Sequence, residues 1–329
     1  MLYRNHIYIV NLLKKERIVT RKKKFVIVLV ISTLTVSLIG CSKTEDEQQQ
    51  TSTSAEQDVT PGNIFENVKT AYKSIDTYKA EGNITSNINP GGTQMNIETS
   101  FSIILKKPNL YLISWTQESM PGMSQSGAVW SDSTQPYLYM GWMNAYSKMG
   151  SDELALASAT GISGGAAFTI PSLFLSVFKE QPDLFSRLKE PQIEMTEKVG
   201  EDDCYVISGS SSISKKETFW VSKKSYLIKK YSRSLEPPEG GVAIPEPEIT
   251  DEQLDEVIKG MGQEVTEESR KNMTEMMERS RTMRKTMKMR GSSTEIHTNV
   301  SSPKLNKNDF KFALPEGTVL KESLFSGEN

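Results

Sequence analysis

The side chains with the most chemistry to offer are few and scattered. The 329 residues include two cysteines, Cys41 and Cys204, and two histidines, His6 and His297. A hydrolase needs a positioned Ser, His and acid. No nucleophile elbow accompanies His297, whose segment Glu295-Ile296-His297-Thr298 alternates as a surface strand does. Cys204, inside Asp203-Cys204-Tyr205-Val206-Ile207, reads as a small core residue rather than a reactive thiol. One His and one Cys far apart in the chain do not make a zinc set. Gly161-x-x-Gly164-Gly165 lacks a following Lys-Ser/Thr and a framing βα unit, so it reads as a loop and not a phosphate cradle. The expectation is therefore no catalytic residue, no metal and no cofactor. Met273, Met276, Met277, Met283, Met287 and Met289 crowd one helical stretch within 261–290. Met is flexible and polarizable, and three roles fit it: ordinary cover for a sheet, a lid or partner surface, or thioether ligands for a soft metal.

Cys41 is the other thiol, and its setting is specific. Arg21-Lys22-Lys23-Lys24 precede an apolar run from Phe25 to Ile39, and Leu38-Ile39-Gly40-Cys41 closes it. A basic region, a short apolar region and small residues at a cut site make a secretory signal. The run of 15 residues is short of the roughly 20 that cross a membrane. Leu-x-Gly-Cys resembles the lipobox of bacterial-type lipoproteins, in which the Cys is diacylated and becomes residue one. Residues 41–61, with Ser42 to Pro61 polar and free of aromatics, read as a disordered tether. The leader, 1–40, carries eight of the 39 Lys/Arg and one of the 41 Asp/Glu, so the remainder has a net charge near −9. That argues against a nucleic-acid partner and against docking on anionic lipid by charge. The membrane link then comes from the diacylglyceryl-Cys, since two chains anchor where one does not. With Cys41 lipidated, Cys204 has no intrachain partner.

The elements that must position any site come next. Apolar residues at 64, 65, 68, 71, 72 and 75 predict a helix over 63–75. Period-two patterns predict strands over 78–88, 95–106, 109–117, 124–131 and 137–140, an antiparallel meander with one buried face. Residues 152–167 are small and Gly-rich and read as a mobile loop. A helix is predicted over 171–188, interrupted near Pro182. A second strand set follows over 192–199, 204–210, 217–222 and 227–234. Pro237 to Pro247 reads as an exposed linker. Helices split by Gly260 and Gly262 fill 250–290, with Gly291 as C-cap. A strand over 294–301 and an alternating Phe310, Phe312, Leu314 end the chain. Met120-Pro121-Gly122-Met123, Trp142-Met143, Tyr137, Tyr139 and Trp130 fit either a cavity mouth or barrel packing.

Lys106-Lys107-Pro108-Asn109-Leu110-Tyr111-Leu112, Thr218-Phe219-Trp220-Val221-Ser222 with Leu227-Ile228-Lys229-Lys230-Tyr231, and Phe310-Lys311-Phe312-Ala313-Leu314-Pro315 stand in an order that resembles the LolA/LolB-like lipoprotein-carrier superfamily, over roughly 63–320. The resemblance implies an α+β fold: a strongly curved antiparallel sheet, an incomplete β-barrel, closed by helices around an apolar cavity. It makes 62–325 one lipid-binding domain with a helical insertion at about 248–291, and the 310–315 segment its closing strand. It implies binding of the acyl chains of a lipid or lipoprotein, without catalysis, by an extracytoplasmic lipoprotein held at the cell membrane or outer membrane. Large apolar residues on strands and cover helix nominate the lining: Ile103, Leu105, Leu112, Trp115, Trp130, Leu173, Phe174, Phe178 and Trp220. An envelope sensor that contacts a protein partner through the Met-rich helix is the alternative. The chain departs from the soluble carriers in its lipobox and in its insertion between 237 and 291. The leader is also long at its front, and Val19, before the basic cluster, is a candidate start of translation. The precursor's N-terminal peptide, read by mass spectrometry, is then expected to begin at position 19; one that begins upstream rules this out.

Overall fold

In the computed structural model, residues 59–89, 93–120, 123–236, 250–261, 263–286 and 290–324 are described. The leader, Cys41, nearly all of the tether and the linker from Pro237 to Pro247 lie outside them. So do Pro121-Gly122, and the side chains of Met120, Met123, Met283, Met287 and Met289.

Thr60 opens the first helix, α1 (Pro61–Ser74), its hydroxyl accepting from the Asn63 N–H at 3.2 Å, with Pro at the first helical position. At the other end the Lys107 ammonium donates to the carbonyl oxygens of Tyr72 and Lys73, which the helix leaves without internal partners. The helix buries one face, Ile64, Phe65, Val68 and Tyr72.

Alternation then builds β1 (Thr77–Asn89), β2 (Met95–Lys106), β3 (Leu110–Met120), β4 (Met123–Ser131), β5 (Pro136–Met140) and β6 (Ala145–Lys148). The chain next crosses the sheet through α2 (Asp152–Ile162), a one-turn helix α3 (Pro171–Phe174) and a series of turns. It returns as β7 (Lys189–Val199), β8 (Asp202–Ser211), β9 (Ser214–Ser222) and β10 (Ile228–Ser234). Two helices, α4 (Asp251–Gly260) and α5 (Glu267–Thr286), precede β11 (Arg290–Ser301) and a two-residue β12 (Val319–Leu320). All twelve strands form one sheet, in the order β12-β6-β5-β4-β3-β2-β1-β11-β10-β9-β8-β7. Every pairing is antiparallel except β12 with β6. Its two ends, β12 and β7, do not pair, so the sheet is curved but unclosed. One meander runs from β1 outward to β6. The other runs from the far edge inward, and β11 joins them by pairing with β1.

The inner face of this sheet carries the main core. Val68 and Tyr72 of α1, Ile103 and Leu105 of β2, Ile113 of β3, Phe219 of β9 and Leu156 of α2 belong to one buried cluster. Phe219 is its aromatic hub: its ring lies 4.8 Å from Tyr231, 5.3 Å from Phe185 and 6.1 Å from Phe65.

Several elements differ from the sequence reading. Residues 152–167 begin as a buried helix and not a mobile loop: Ser151 caps it, accepting from Leu154 N–H at 3.2 Å, acids fill its first turn, and its small residues let it lie close on the sheet. The helix expected over 171–188 stops after one turn. The N–H groups of Ser176 and Val177 are taken by Pro108 O and Asn109 Oδ1, both at 2.9 Å, so they leave the helical ladder for the β2–β3 turn. Gly291 sits inside β11 opposite Ile88 and is no C-cap. The closing strand is β12; Phe310 ends a short helical turn, and 311–315 forms no strand.

Phe219→Ala removes a fully buried ring from the hub and is expected to cost about 3–5 kcal/mol. Met195→Ala, on a side chain more than half exposed, should stay within about 0.5 kcal/mol. Urea denaturation of both variants checks the contrast.

Candidate functional site

Strand parity sorts the nine nominated lining residues. Ile103, Leu105, Trp115, Phe174 and Phe178 are buried together on the inner side, with Leu173 packed against them. Leu112 and Trp130 are opposite each other on the outer face. There the Trp130 ring stacks on Tyr137 at 5.2 Å and meets Phe312 at 5.5 Å. Phe312 and Leu314, expected in a closing strand, instead cover this outer apolar patch. Trp220 is outward as well, beside Cys204 and Val206; its indole N–H donates to Glu197 at 2.8 Å and Lys230 lies over its ring at 4.0 Å. Cys204 is buried, and burial pushes its thiol up to about 11.

Across the inner face the register aligns Thr99 (β2), Ile84 (β1), Glu295 (β11), Tyr231 (β10), Phe219 (β9) and Ile207 (β8) in one row. A neighbouring row holds Ser86, Ser293, Arg233 and Glu217. The row on the other side holds Phe101, Gly82 and His297. The interior is therefore not uniformly apolar. Ser293, Glu295 and His297 alternate inward along β11 and are all buried.

His297 is a correction: expected on the surface, it is 3% exposed. Its neighbour Ile296, the apolar residue that sequence alternation would send inward, is 37% exposed. Pairing with β1 sets this parity. Gly82 stands between Phe101 and His297, and its missing side chain lets the two rings meet edge to face at 5.3 Å. A Cβ there would collide with the Phe101 ring and the Ile296 carbonyl.

Two carboxylates are buried in this floor. Glu217 accepts from Arg187 at 2.6 Å and from the Tyr231 hydroxyl at 2.5 Å. Burial alone would raise its pKa. The Arg187 charge, with bonds from Ser211, Tyr231 and Arg187, outweighs that and holds it below the ordinary carboxylate range. Glu295 Oε2 accepts from the Thr169 hydroxyl at 2.7 Å, a link from the sheet to the segment that crosses it. Its Oε1 lies 2.9 Å from His297 Nε2, but without hydrogen-bond alignment, and His297 Nδ1 has no partner either. Burial is also the main reason the Tyr72 and Tyr78 hydroxyls are harder to ionise than usual, and the nearby Glu295 carboxylate adds to it.

Ser293 and His297 are four residues apart on one strand, about 13 Å, too far for a nucleophile–base bond. Among the described residues no group of three or more His, Cys, Asp or Glu is placed to hold a metal. A small cleft, partly open to solvent, lies at the rim between Trp115, Gln117, Tyr139, Met140, Trp142 and Ile162. Met273 and Met277 are buried against the main core, whereas Met276 is exposed. Among the described residues no helix is long and apolar enough to cross a membrane.

No family model matches the chain, and no curated protein matches it in sequence. Solved structures do resemble it. LprF of Mycobacterium bovis is 7% identical, with 78% of this chain and 96% of that one covered and a TM-score of 0.37. The lipoprotein LppX of Mycobacterium tuberculosis is 10% identical, over 74% and 96%, with a TM-score of 0.36. A LolA superfamily protein of Nitrosomonas europaea is 9% identical, over 77% and 98%, with a TM-score of 0.28. The unclosed, curved antiparallel sheet with helices across its inner face is the α+β architecture anticipated from the sequence. Scores this low add no argument about what the chain binds.

Glu217 has a lowered folded pKa, so its stabilisation is complete above the unfolded value, about 4.3, and is lost as pH falls through the folded value. Glu217→Gln is expected to be less stable than wild type by about 2–3 kcal/mol at pH 7. It should also lose less stability on acidification below about pH 4, as urea midpoints at the two pH values will read.

Proposed function

We propose that this chain is an extracytoplasmic lipoprotein, anchored through Cys41, whose folded part binds acyl chains between the curved sheet and the segments that cross it. One observation carries the reading. Apolar residues from Leu138 of β5 to Ile207 of β8 form one continuous cluster on the inner face, and helices and turns cover it instead of a second sheet. The part of the cover that follows α2, a one-turn helix and turns, has little internal hydrogen bonding to lose when it shifts. A buried methylene is worth about 0.8 kcal/mol, so an acyl chain exchanged for these contacts needs no catalytic group. The lipobox and tether supply the membrane end of the same reading.

A second reading, an envelope interaction module, is favoured by Trp142, Val319 and Leu320. They are 65%, 56% and 51% exposed where β12 pairs with β6.

The test is photo-crosslinking of the full chain in liposomes with a diazirine-bearing acyl probe, mapped by mass spectrometry. Labels are expected on inner residues near Trp115 and Phe174. Trp115→Asp should cut labelling about tenfold, since a buried carboxylate carries a desolvation cost above the 1.4 kcal/mol that tenfold represents. Leu112→Asp, on the outer face, should not. Labelling confined to Trp142, Val319 and Leu320, or none, would move the assignment to the interaction module.

A further inference from the structure

The apolar interior contains a polar pair that the acyl-binding reading does not use. Glu295 and His297 are each 3% exposed, on the inner face of a central strand. Around them lie Phe101, Ile84 and Tyr231, and Thr169 of the crossing segment. Glu295 Oε1 and both His297 ring nitrogens lack a hydrogen-bond partner. A buried polar group without a partner costs about 1–3 kcal/mol, and native interiors hold few of them. Two of these atoms, Oε1 and Nε2, lie only 2.9 Å apart. A ligand atom set beside them reaches both.

The chemistry of the pair selects that atom. A ligand carboxylate or phosphate would face the Glu295 carboxylate, and like charges in a dry interior repel strongly. An ammonium has three donors to satisfy, while the pair offers Oε1 and at most one imidazole lone pair. A full positive charge would also have to leave water. A neutral hydroxyl has one donor and accepting lone pairs. It can donate to Glu295 Oε1 and accept from the His297 N–H, which satisfies both groups at once.

We infer that the Glu295–His297 pair is a recognition site for a hydroxyl carried on an apolar ligand, as in an acylglycerol or a hydroxylated acyl chain. This rests on the acyl-binding reading and narrows its ligand. The apolar body lies along Phe101, Ile103 and Trp115, and the hydroxyl marks its register on the floor. Thr169 already donates to Glu295 Oε2, so the free Oε1 is the oxygen left for the ligand.

The experiment uses the full chain in liposomes and two diazirine probes of equal chain length, a monoacylglycerol and the methyl ester of the same fatty acid. Wild type should be labelled about tenfold more efficiently by the monoacylglycerol, the factor that 1.4 kcal/mol of hydrogen bonding represents. His297→Phe and Glu295→Gln should each reduce that preference about threefold while methyl-ester labelling persists. Equal labelling of wild type by both probes overturns the inference and leaves the acyl-binding reading standing. A preference that survives both substitutions overturns it as well. Labelling of the inner face by neither probe removes both readings. The wild-type ratio decides the matter even if a variant does not fold.

Discussion

The ladder between β1 and β11 is the constraint on which the molecule depends. Without it there are two separate meanders, β1 to β6 and β7 to β11, each with a long unpaired edge at its inner end. Antiparallel pairing from Asn89 with Arg290 to Glu81 with Thr298 joins them into one sheet. The same register fixes which side of β11 is inside. A slip of one residue would exchange every side chain between faces. Ile296 would then enter the core, and Ser293, Glu295 and His297 would meet water. That the polar set is the buried one means the register is held by something stronger than the hydropathy of β11. Gly82 is the visible means, because only a residue without a side chain accepts Phe101 and His297 closing over it.

The interior therefore combines two kinds of burial. The aromatic hub around Phe219 gains from area and from ring geometry. In the Arg187–Glu217–Tyr231 set one carboxylate oxygen takes both the guanidinium and the phenol, which links the turn before β7 to β9 and β10. Glu295 is bonded through one oxygen and His297 through neither ring nitrogen. In a domain whose net stability is a small difference of large terms, a buried carboxylate paired with an arginine is tolerable and one without that pairing needs a reason. A shared reason is that floor and cover meet there: Thr169 reaches Glu295 from the segment that crosses the sheet.

Much of the architecture was legible in the sequence. Strict alternation, as in Ile97, Thr99, Phe101 and Ile103, gave the strands to within a few residues, because a half-buried sheet needs little else. The crossing segment was misread at both ends. Residues 152–162 are helical because a cap and first-turn acids start a run of small residues that packs closely, and a Gly-rich composition hides this. The turns after Phe174 depend on Pro108 and Asn109, more than sixty residues away, and no local pattern carries that. The site was half legible for the same reason. Ile103, Leu105, Trp115, Phe174 and Phe178, chosen for size and apolarity, lie on the inner side. Those criteria could not separate these from Leu112, Trp130 and Trp220, which the parity of their strands sends outward. The buried polar floor was missed because Glu, His and Ser look like surface residues until pairing with β1 is known. The one available signal was the Ser-x-Glu-x-His spacing of two on a strand.

The helices α4 and α5 bury Leu254, Val257, Ile258, Met261, Met273 and Met277 in or beside the main core, and they also meet the segment before α2 at two glycines. Gly150, just before α2, donates its N–H to Gly260 O at 2.9 Å, and a Cβ on Gly150 would lie 2.7 Å from the Gly260 Cα. The backbones of the two segments are in direct contact, with no side chain between them to absorb a displacement. Arg270 then clamps α5 to α4 through two bonds of 2.7 Å to Asp255. The helical pair is thus tied to the start of α2 by backbone contact as well as by the shared core. A displacement of the pair passes to α2 without a flexible side chain to take it up at that point.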